Sequence, residues 1–325
     1  MTARPVCAVL AALVVLAFAR AEEPMQAIVA SDGNVSLTSV PRPEPGEGQV
    51  RIKVRAASVN PVDWKLAQRA APGTRVIPGR DLAGIIDAVG PGADRWRAGD
   101  AVIAVAAGGS VGGSYAQYAL ASVRAVASKP ARMSFEEAAG IPVVGETAWR
   151  AIVTVGDVQK GQRVLVHGGA GGVGSSAVQV AKARGAYVIA TASESHREFV
   201  RSLGADEVLD YHAVRFEEHL KNLDLVLNTV DADTGMRSLS VLKPGGMLVS
   251  VVGAMPPEAC AAAKVRCAIT GSVTGELLAP LVELANAGKF RVHIEQQLSL
   301  GEAAQAWSAS RAGHTGGKIV LRVSN

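Results

Sequence analysis

One loop constrains the fold of this chain more than any other feature. The stretch RVLVHGGAGGVGSSAVQVAKARGAYVIAT places a G-x-G-x-x-G pattern (Gly169, Gly171 and Gly174) directly between an apolar strand and an amphipathic helix. Glycines in such a loop let the backbone approach a pyrophosphate, and the helix N-terminus offers free N–H groups to the phosphates. This context predicts a dinucleotide site that also includes Gly172 and Val173.

The half of the chain that contains this loop has the pattern of a parallel sheet. After about residue 142, runs of Val, Ile and Leu alternate with helical segments, as expected for βαβ units with buried strands. The strands predicted after the loop are YVIAT (187–191), EVLDY (207–211), DLVLNTV (224–230) and MLVSVVG (247–253). We therefore predict a Rossmann-type, doubly wound parallel-sheet domain over residues 143–272.

The rest of the chain is richer in β-structure, so the fold class is α/β with two different domains. From residue 25 to 142, short β-type runs are separated by turns of glycine and proline, which predicts a barrel or sandwich. The last segment, residues 273–325, is predicted to contain helices at 275–287 and 301–312 and strands at Phe290–Ile294 and 318–323.

Residues 1–24 resemble a leader. The run from Pro5 to Ala19 is apolar and uncharged between two arginines, but it is shorter than the roughly 20 residues of a membrane span. Its basic start, apolar centre and small residues before Glu22 match a signal peptide for export to the periplasm or the exterior. The alternative is translation from Met25, where MQAIVA begins a natural first strand, in a cytoplasmic protein.

Composition narrows the classes of function. The net charge is only +4 and the basic residues are dispersed without a run, which argues against a nucleic-acid partner. The three cysteines, Cys7, Cys260 and Cys267, are too few for a disulfide scaffold. Cys260 and Cys267 lack the spacing of a zinc knuckle, and we interpret them as core packing or as part of a helix face. No segment predicts a stable membrane span.

The residues after the second strand of the Rossmann unit bear on the choice of dinucleotide. Enzymes that use NAD usually place Asp or Glu at this strand tip, where it binds the ribose hydroxyls. Here the tip is neutral, and Ser193 and Arg197 are available for a 2′-phosphate, which predicts NADP(H). Glu194 favours NAD(H) instead, unless it begins the next helix, where an acidic residue suits the helix dipole.

Motifs in both halves together resemble the medium-chain dehydrogenase/reductase superfamily, and more narrowly its zinc-independent quinone oxidoreductase and enone reductase branch. The motifs are PRPEPGEGQVRIKVRAASVNPVDWK (41–65), PGRDLAGIIDAVGPGADRWRAGDAVIAV (78–105), GGSYAQYAL (112–120), the GGAGGVG loop and TGGKIVLRV (315–323). The resemblance covers nearly all of residues 25–325. It implies a GroES-like catalytic domain at 25–142, to which residues 273–325 return, and a homodimer as a frequent state.

The resemblance also implies residues of an active site. Asn60 and Lys65, in NPVDWK, are the candidates to hydrogen-bond or protonate the substrate oxygen, and Thr147 faces the nicotinamide. Tyr211 contacts the adenine or the 2′-phosphate, and Gly253 lets the backbone approach the nicotinamide. Structural alternatives stay open: a solvated surface lysine at 65, a helix cap at 147, a core contact at 211 and a simple turn at 253.

The chain departs from the zinc alcohol dehydrogenases of the superfamily. Their catalytic metal is bound by a Cys where this chain has Asn60 and by a His-Glu pair where it has Arg80 and Asp81, so we predict no metal site. Without a Lewis acid, we expect hydride transfer from NADPH to a small molecule that delocalises charge, a quinone or an α,β-unsaturated carbonyl. The alternatives are a zinc-type alcohol dehydrogenase and a non-catalytic NADPH-binding redox sensor or scaffold.

Overall fold

The structure, a computed structural model, describes residues 24–110, 112–313 and 316–324. The predicted leader lies outside these ranges except for Pro24. The strands are β1 (Pro24–Ser31), β2 (Asn34–Pro41), β3 (Gln49–Val59), β4 (Asp81–Val89), β5 (Ala101–Val105), β6 (Tyr118–Ser122), β7 (Val126–Ser128), β8 (Arg163–Val166), β9 (Tyr187–Ala192), β10 (Glu207–Asp210), β11 (Leu223–Asn228), β12 (Leu242–Ser250), β13 (Arg266–Ile269), β14 (Ile294–Ser299) and β15 (Lys318–Arg322).

The α-helices alternate with the strands mainly in the second half. They are α1 (Pro61–Gln68), α2 (Phe135–Ala139), α3 (Pro142–Trp149), α4 (Gly172–Ala183), α5 (Arg197–Ser202), α6 (Phe216–His219), α7 (Ala232–Ser238), α8 (Pro257–Ala262), α9 (Leu278–Asn286) and α10 (Ala303–Ala312). None of the helices that the structure describes combines the length and the apolar composition of a membrane span.

A six-stranded parallel sheet confirms the predicted Rossmann fold. Its strand order is β10-β9-β8-β11-β12-β13, so the order reverses between β8 and β11. In sheets of this class, ligands bind in the crevice at the carboxyl ends of the strands at that reversal. The helix α4 has its apolar face towards the sheet, with Ala177, Val180 and Ala181 fully buried.

A seven-stranded, largely antiparallel sheet forms the other part of the molecule and confirms the GroES-like, β-rich class. Its order is β14-β15-β3-β4-β5-β7, with β6 paired to β3. The strands β14 and β15 come from the end of the chain, and β15 pairs antiparallel with β3. The domain limits at residues 142 and 272 stay predictions.

One buried apolar cluster connects the two sheets. It contains Ala83 of β4 and Val320 of β15 together with Val166 of β8 and Ala177 of α4. Burial of side chains from both sheets in one cluster fixes the position of the glycine loop relative to the ends of β3 and β15.

One expectation from the sequence is wrong, and one covalent bond was not predicted. The strand predicted at Phe290–Ile294 lies instead at Ile294–Ser299, where alternate residues are exposed and the polar composition hides the strand. Phe290 is a core residue, 2% exposed. Cys260 is buried in an apolar cluster and Cys267 is partly buried against it, and the two form a disulfide that was not predicted from the sequence. The short turn between α8 and β13 brings their Cα atoms to 6.2 Å, within the usual range for a disulfide.

Candidate active site

The glycine loop joins the end of β8 to the first turn of α4. The N–H of Gly169 donates to Thr191 O at 2.8 Å, and the N–H of Gly171 donates to Gly168 O at 3.0 Å. A β-carbon on Gly174 would lie 2.0 Å from Gly168 O, so the loop closes tightly only because this residue has no side chain.

The first turn of α4 fits the pyrophosphate of a dinucleotide. Its cap residue, Gly171, has no side chain that could bond to the turn. The N–H groups of Gly172, Val173 and Gly174 are the first of the helix and have no intrahelical acceptors, so without a capping side chain they remain free for a ligand, and the helix dipole adds positive potential. The loop also lies at the reversal of strand order between β8 and β11. These three observations indicate a phosphate-binding site.

A polar cluster follows the tip of β9. The hydroxyl of Ser193 lies 2.9 Å from His196 Nδ1 and 3.0 Å from Ser195 Oγ. His196 was missed in the sequence analysis, although the run Ser-Glu-Ser-His after an apolar strand is a signal for such a cluster. All three groups can donate hydrogen bonds to a phosphate.

The two charged residues of this segment pair with each other. Arg197 donates to Glu194 Oε2 from Nε at 2.7 Å, with Nη2 at 2.5 Å from the same oxygen, and its Nη1 donates to Val208 O. Glu194 begins a single 3₁₀ turn, so it lies beyond the strand tip. The carboxylate and the guanidinium neutralise each other, so this pair by itself favours neither NADP(H) nor NAD(H).

Tyr211 and Gly253 lie at the same carboxyl edge of the sheet. Tyr211 follows β10, is about half exposed, and donates its N–H to Ala192 O at the tip of β9. Gly253 follows β12 with a φ of +152°. A β-carbon there would meet nothing within 4 Å, so the space beside this backbone position is open. Their roles in cofactor binding stay predictions.

Asn60 lies between a carboxylate and an ammonium group at the end of β3. Its Nδ2 donates to Asp81 Oδ2 at 2.8 Å, and its Oδ1 accepts from Lys318 Nζ at 2.7 Å. Lys318 Nζ lies 3.6 Å from Asp81 Oδ2, and all three side chains are at most 5% exposed. Burial lowers the pKa of Lys318, while Asp81 and Asp63 oppose this by favouring its charged form.

Asp81 connects three elements through its carboxylate. It accepts from Ser58 Oγ of β3 at 2.6 Å and from the backbone N–H of Val143, in the first turn of α3, at 2.6 Å. The first N–H groups of a helix have no intrahelical acceptor, so an acidic side chain suits this position. The carboxylate therefore joins β3 to the helix that leads into the Rossmann part.

Asp63 and Tyr115 form a second buried polar pair beside this group. Asp63 Oδ2 accepts from Asn60 N at 2.8 Å and from the Tyr115 hydroxyl at 3.0 Å, whereas its Oδ1 is buried without a partner. Burial, with a smaller contribution from the charge of Asp81, raises the pKa of Asp63 from 3.8 to about 7. Asp63 is thus protonated in the folded state at a pH where an unfolded chain would ionise it.

We expect Asp63→Asn to flatten the pH dependence of stability. A folded-state pKa of about 7 against an unfolded value of 3.8 means that stability is fully present below pH 3.8 and is lost as the pH rises to 7. In the wild type, the free energy of unfolding should therefore fall by on the order of 4 kcal/mol between these two pH values. Denaturant unfolding of both proteins at several pH values measures it. Parallel curves for the two proteins from pH 4 to pH 8 would contradict the assignment.

The other two predicted catalytic residues, Thr147 and Lys65, lie in different environments. Thr147 is buried in α3, and its hydroxyl donates to Val143 O at 2.7 Å, an interaction within the helix. Lys65 is exposed on α1, with its Nζ 5.4 Å from the centre of the Trp64 ring. Asn60 and Thr147 thus belong to the junction with α3, whereas Lys65 lies at the surface. Their catalytic roles stay predictions.

A buried glutamate that was not predicted from the sequence holds the loop that follows β13. Glu146 of α3 is fully buried, pairs with Arg150, and accepts backbone N–H bonds from Thr274 at 2.9 Å and Gly275 at 2.5 Å. Arg80 donates to Val273 O in the same loop. A lone acidic residue in the apolar run PVVGETAW was the available signal.

The residues at this junction do not fit a catalytic zinc ion. Zinc requires three or four ligands from Cys, His, Asp or Glu. Across residues 24–110, 112–313 and 316–324, no group of three or more such side chains could hold a metal. Asp81 has the ammonium of Lys318 beside it, and Arg80 bonds to a backbone carbonyl.

Comparisons with known proteins agree with this architecture. Residues 46–131 match the alcohol dehydrogenase GroES-like domain, residues 203–321 the zinc-binding dehydrogenase family, and residues 140–238 the C-terminal domain of alanine dehydrogenase/PNT. A chloroplastic quinone oxidoreductase of Triphysaria versicolor is 34% identical over 310 residues, which covers 87% of this chain and 92% of that protein.

Two further relatives extend the comparison. The chloroplastic NADPH-dependent alkenal/one oxidoreductase of Arabidopsis thaliana is 34% identical over 96% of this chain and 83% of its own length. The solved quinone oxidoreductase of Coxiella burnetii is 31% identical with a TM-score of 0.84 and covers 93% of this chain and 100% of that one.

The chain belongs to the medium-chain dehydrogenase/reductase superfamily. Within it, the chain is a member of the quinone oxidoreductase branch, and it is an oxidoreductase that uses a nicotinamide cofactor and a small-molecule substrate.

Proposed function

We propose that the protein is an NADPH-dependent reductase that transfers a hydride to a quinone or an α,β-unsaturated carbonyl without a bound zinc ion. The observation that carries the proposal is the group formed by Asn60, Asp81 and Lys318 next to the phosphate loop. It provides a hydrogen-bond donor, and not metal ligands, at the site where zinc enzymes of the superfamily bind their metal. The names of relatives that act on quinones and on alkenals support the acceptor class.

In such a reaction the residues of the chain would bind the cofactor, donate a hydrogen bond to the acceptor oxygen and supply a proton. The bound nicotinamide would supply the hydride, and the first turn of α4 would hold the phosphates. The acceptor oxygen gains negative charge during transfer, so a positioned donor lowers the barrier. Asp81 accepts one of the two N–H bonds that the Asn60 amide can donate, and we propose that the other N–H donates to the acceptor oxygen once the substrate is bound. Water or the exposed Lys65 would supply the proton.

Steady-state oxidation of NADPH tests the proposal. We expect turnover with 1,4-benzoquinone, 2-cyclohexen-1-one or both, above the rate without protein, with the reduced product identified by mass spectrometry. Tight NADPH binding without turnover on either acceptor would point to the alternative, a non-catalytic sensor or scaffold. A zinc-type dehydrogenase would lose its activity on dialysis against a chelator, and we expect no loss.

Arg197→Ala tests the preference for NADPH. If the guanidinium binds the 2′-phosphate, its removal raises the Kd for NADPH by tenfold or more, because a charge-assisted hydrogen bond contributes about 1.5–3 kcal/mol. The Kd for NADH stays within twofold. Arg201 is the matched control, since it pairs with Glu198 three residues earlier as Arg197 pairs with Glu194. Fluorescence titration measures both, and equal losses for the two cofactors would contradict the assignment.

A further inference from the structure

Lys318 contacts both parts of the candidate site. Its ammonium lies 2.7 Å from Asn60 Oδ1 and 3.2 Å from Val59 O, both at the end of β3. Its aliphatic stem passes the first turn of α4: a β-carbon on Gly172 would lie 3.2 Å from Lys318 Cδ and 3.0 Å from Val144 Cγ1. A lysine from the last strand of the chain therefore lies between the phosphate loop and the predicted oxyanion donor.

Two glycines provide the space for this stem. Besides Gly172, Gly140 at the end of α2 lies against it, with 3.5 Å from a β-carbon there to Lys318 Cγ. The lysine is 5% exposed, although its side chain is among those most rarely buried in proteins. Burial of an ammonium is costly unless it is paired and hydrogen-bonded. Here the ammonium pairs with Asp81 and donates to Asn60 and to Val59 O, and these partners offset the cost of burying it.

The charges on either side of Asn60 determine which way its amide faces. Oδ1 can accept but not donate, and Nδ2 can donate but not accept. With Lys318 on one side and Asp81 on the other, the observed orientation makes two good bonds. The reversed orientation would point the NH₂ group at the ammonium and the carbonyl oxygen at the carboxylate. One N–H of Nδ2 is thereby held at Asp81, and the direction of the other is fixed.

We propose that Lys318 is a positioning residue, which holds the Asn60 amide in its donor orientation at a fixed distance from the phosphate loop. The inference rests on the proposed function, because it names what orients the donor for the acceptor oxygen. Lys318 does not contact the substrate in this proposal. It acts through its contacts with Asn60 and Gly172, and the role does not depend on Lys65 or the other exposed residues of α1.

Lys318→Met tests this assignment, because methionine keeps an unbranched stem against Gly172 and removes the ammonium. We expect the Kd for NADPH to stay within threefold of wild type, kcat with 1,4-benzoquinone or 2-cyclohexen-1-one to fall at least tenfold, and KM for the acceptor to change less than kcat. Lys53→Met, an exposed lysine of β3 in the same sheet, is the matched control and should change none of these values. The assignment is overturned if Lys318→Met keeps kcat within twofold of wild type, or if NADPH binding and kcat fall in parallel.

A double variant covers the case in which Lys318→Met does not fold. Asp81→Asn with Lys318→Met removes both charges, and we expect it to fold, to bind NADPH and to remain slow. Recovery of the wild-type kcat would mean that Lys318 only neutralises Asp81, and would overturn the assignment.

An NMR measurement separates the inference from the proposed function, because it needs no turnover. The chain has six asparagines, so selective ¹⁵N-asparagine labelling gives few side-chain NH₂ pairs, and Asn60→Ala assigns the one in question. In the wild type we expect a resolved, slowly exchanging pair for Asn60. In Lys318→Met the pair should shift and exchange faster, because Asp81, the acceptor of this NH₂ group, is still present. An unchanged Asn60 pair overturns the positioning role, whereas wild type without turnover but with a Lys318-dependent pair overturns only the proposed reaction.

Discussion

Gly174→Ala is expected to abolish measurable dinucleotide binding and to destabilise the fold. A β-carbon at this position would lie 2.0 Å from Gly168 O and 3.0 Å from Gly169 Cα. Both are backbone atoms of the same loop, so no side-chain rotation can relieve the clash. The loop must open, and the N–H groups of the first turn of α4 then lose their common direction. We expect the Kd for NADPH to rise at least 100-fold, which corresponds to about 2.7 kcal/mol or more.

Gly171→Ala is the comparison within the same loop. Its φ of −70° suits any residue, and a β-carbon there would lie 3.4 Å from Gly168 O, an ordinary contact. We therefore expect this variant to unfold at the same denaturant concentration as wild type and to lose cofactor affinity only through crowding of the phosphates. Fluorescence titration and denaturant unfolding measure the two effects. Equal stability losses for the two variants would contradict the role assigned to Gly174.

The Rossmann half was predictable because local signals and the global fold agree there. RVLVH, the glycine loop and the following apolar helix each have one plausible structure, and the strands β8, β9 and β11 lie within two residues of their predicted limits. The prediction of strand β14 was wrong for the opposite reason. Its IEQQLS sequence has little β-propensity, and its pairing with β15 supplies what the local sequence lacks.

The candidate site was predictable only where a motif defines it. Asn60 follows from the NPVDWK motif, but its partners come from positions 81 and 318, which no local pattern connects. A lysine that opens the apolar strand KIVLR and an aspartate that opens β4 are visible in the sequence. Their pairing is not, because it depends on the register of β3 with both β4 and β15. The same register explains why Asp81, which the sequence places at a zinc-ligand position of the related alcohol dehydrogenases, is the acceptor for Asn60.

The buried pair of Asp81 and Lys318 is expected to make a large contribution to the stability of the fold. We expect Lys318→Met to lower the free energy of unfolding by about 3–5 kcal/mol, because removing one partner leaves an uncompensated buried charge. Asp81 is fully buried and also holds Ser58 and the first turn of α3, so it cannot move into solvent without breaking those bonds. The Lys53→Met control should stay within about 0.5 kcal/mol of wild type, as exposed substitutions usually do.

A double-mutant cycle decides whether this effect belongs to the pair. Asp81→Asn and Lys318→Met, each measured alone, should cost more in sum than the double variant, by about 2 kcal/mol or more, since residues in one hydrogen-bonded network do not act additively. Replacing both charges removes the unpaired ion that makes each single change costly. Denaturant unfolding of the four proteins at pH 7 gives the coupling. If the two single losses add, Lys318 and Asp81 stabilise the fold independently, and the 3.6 Å separation between their charged atoms contributes nothing of its own.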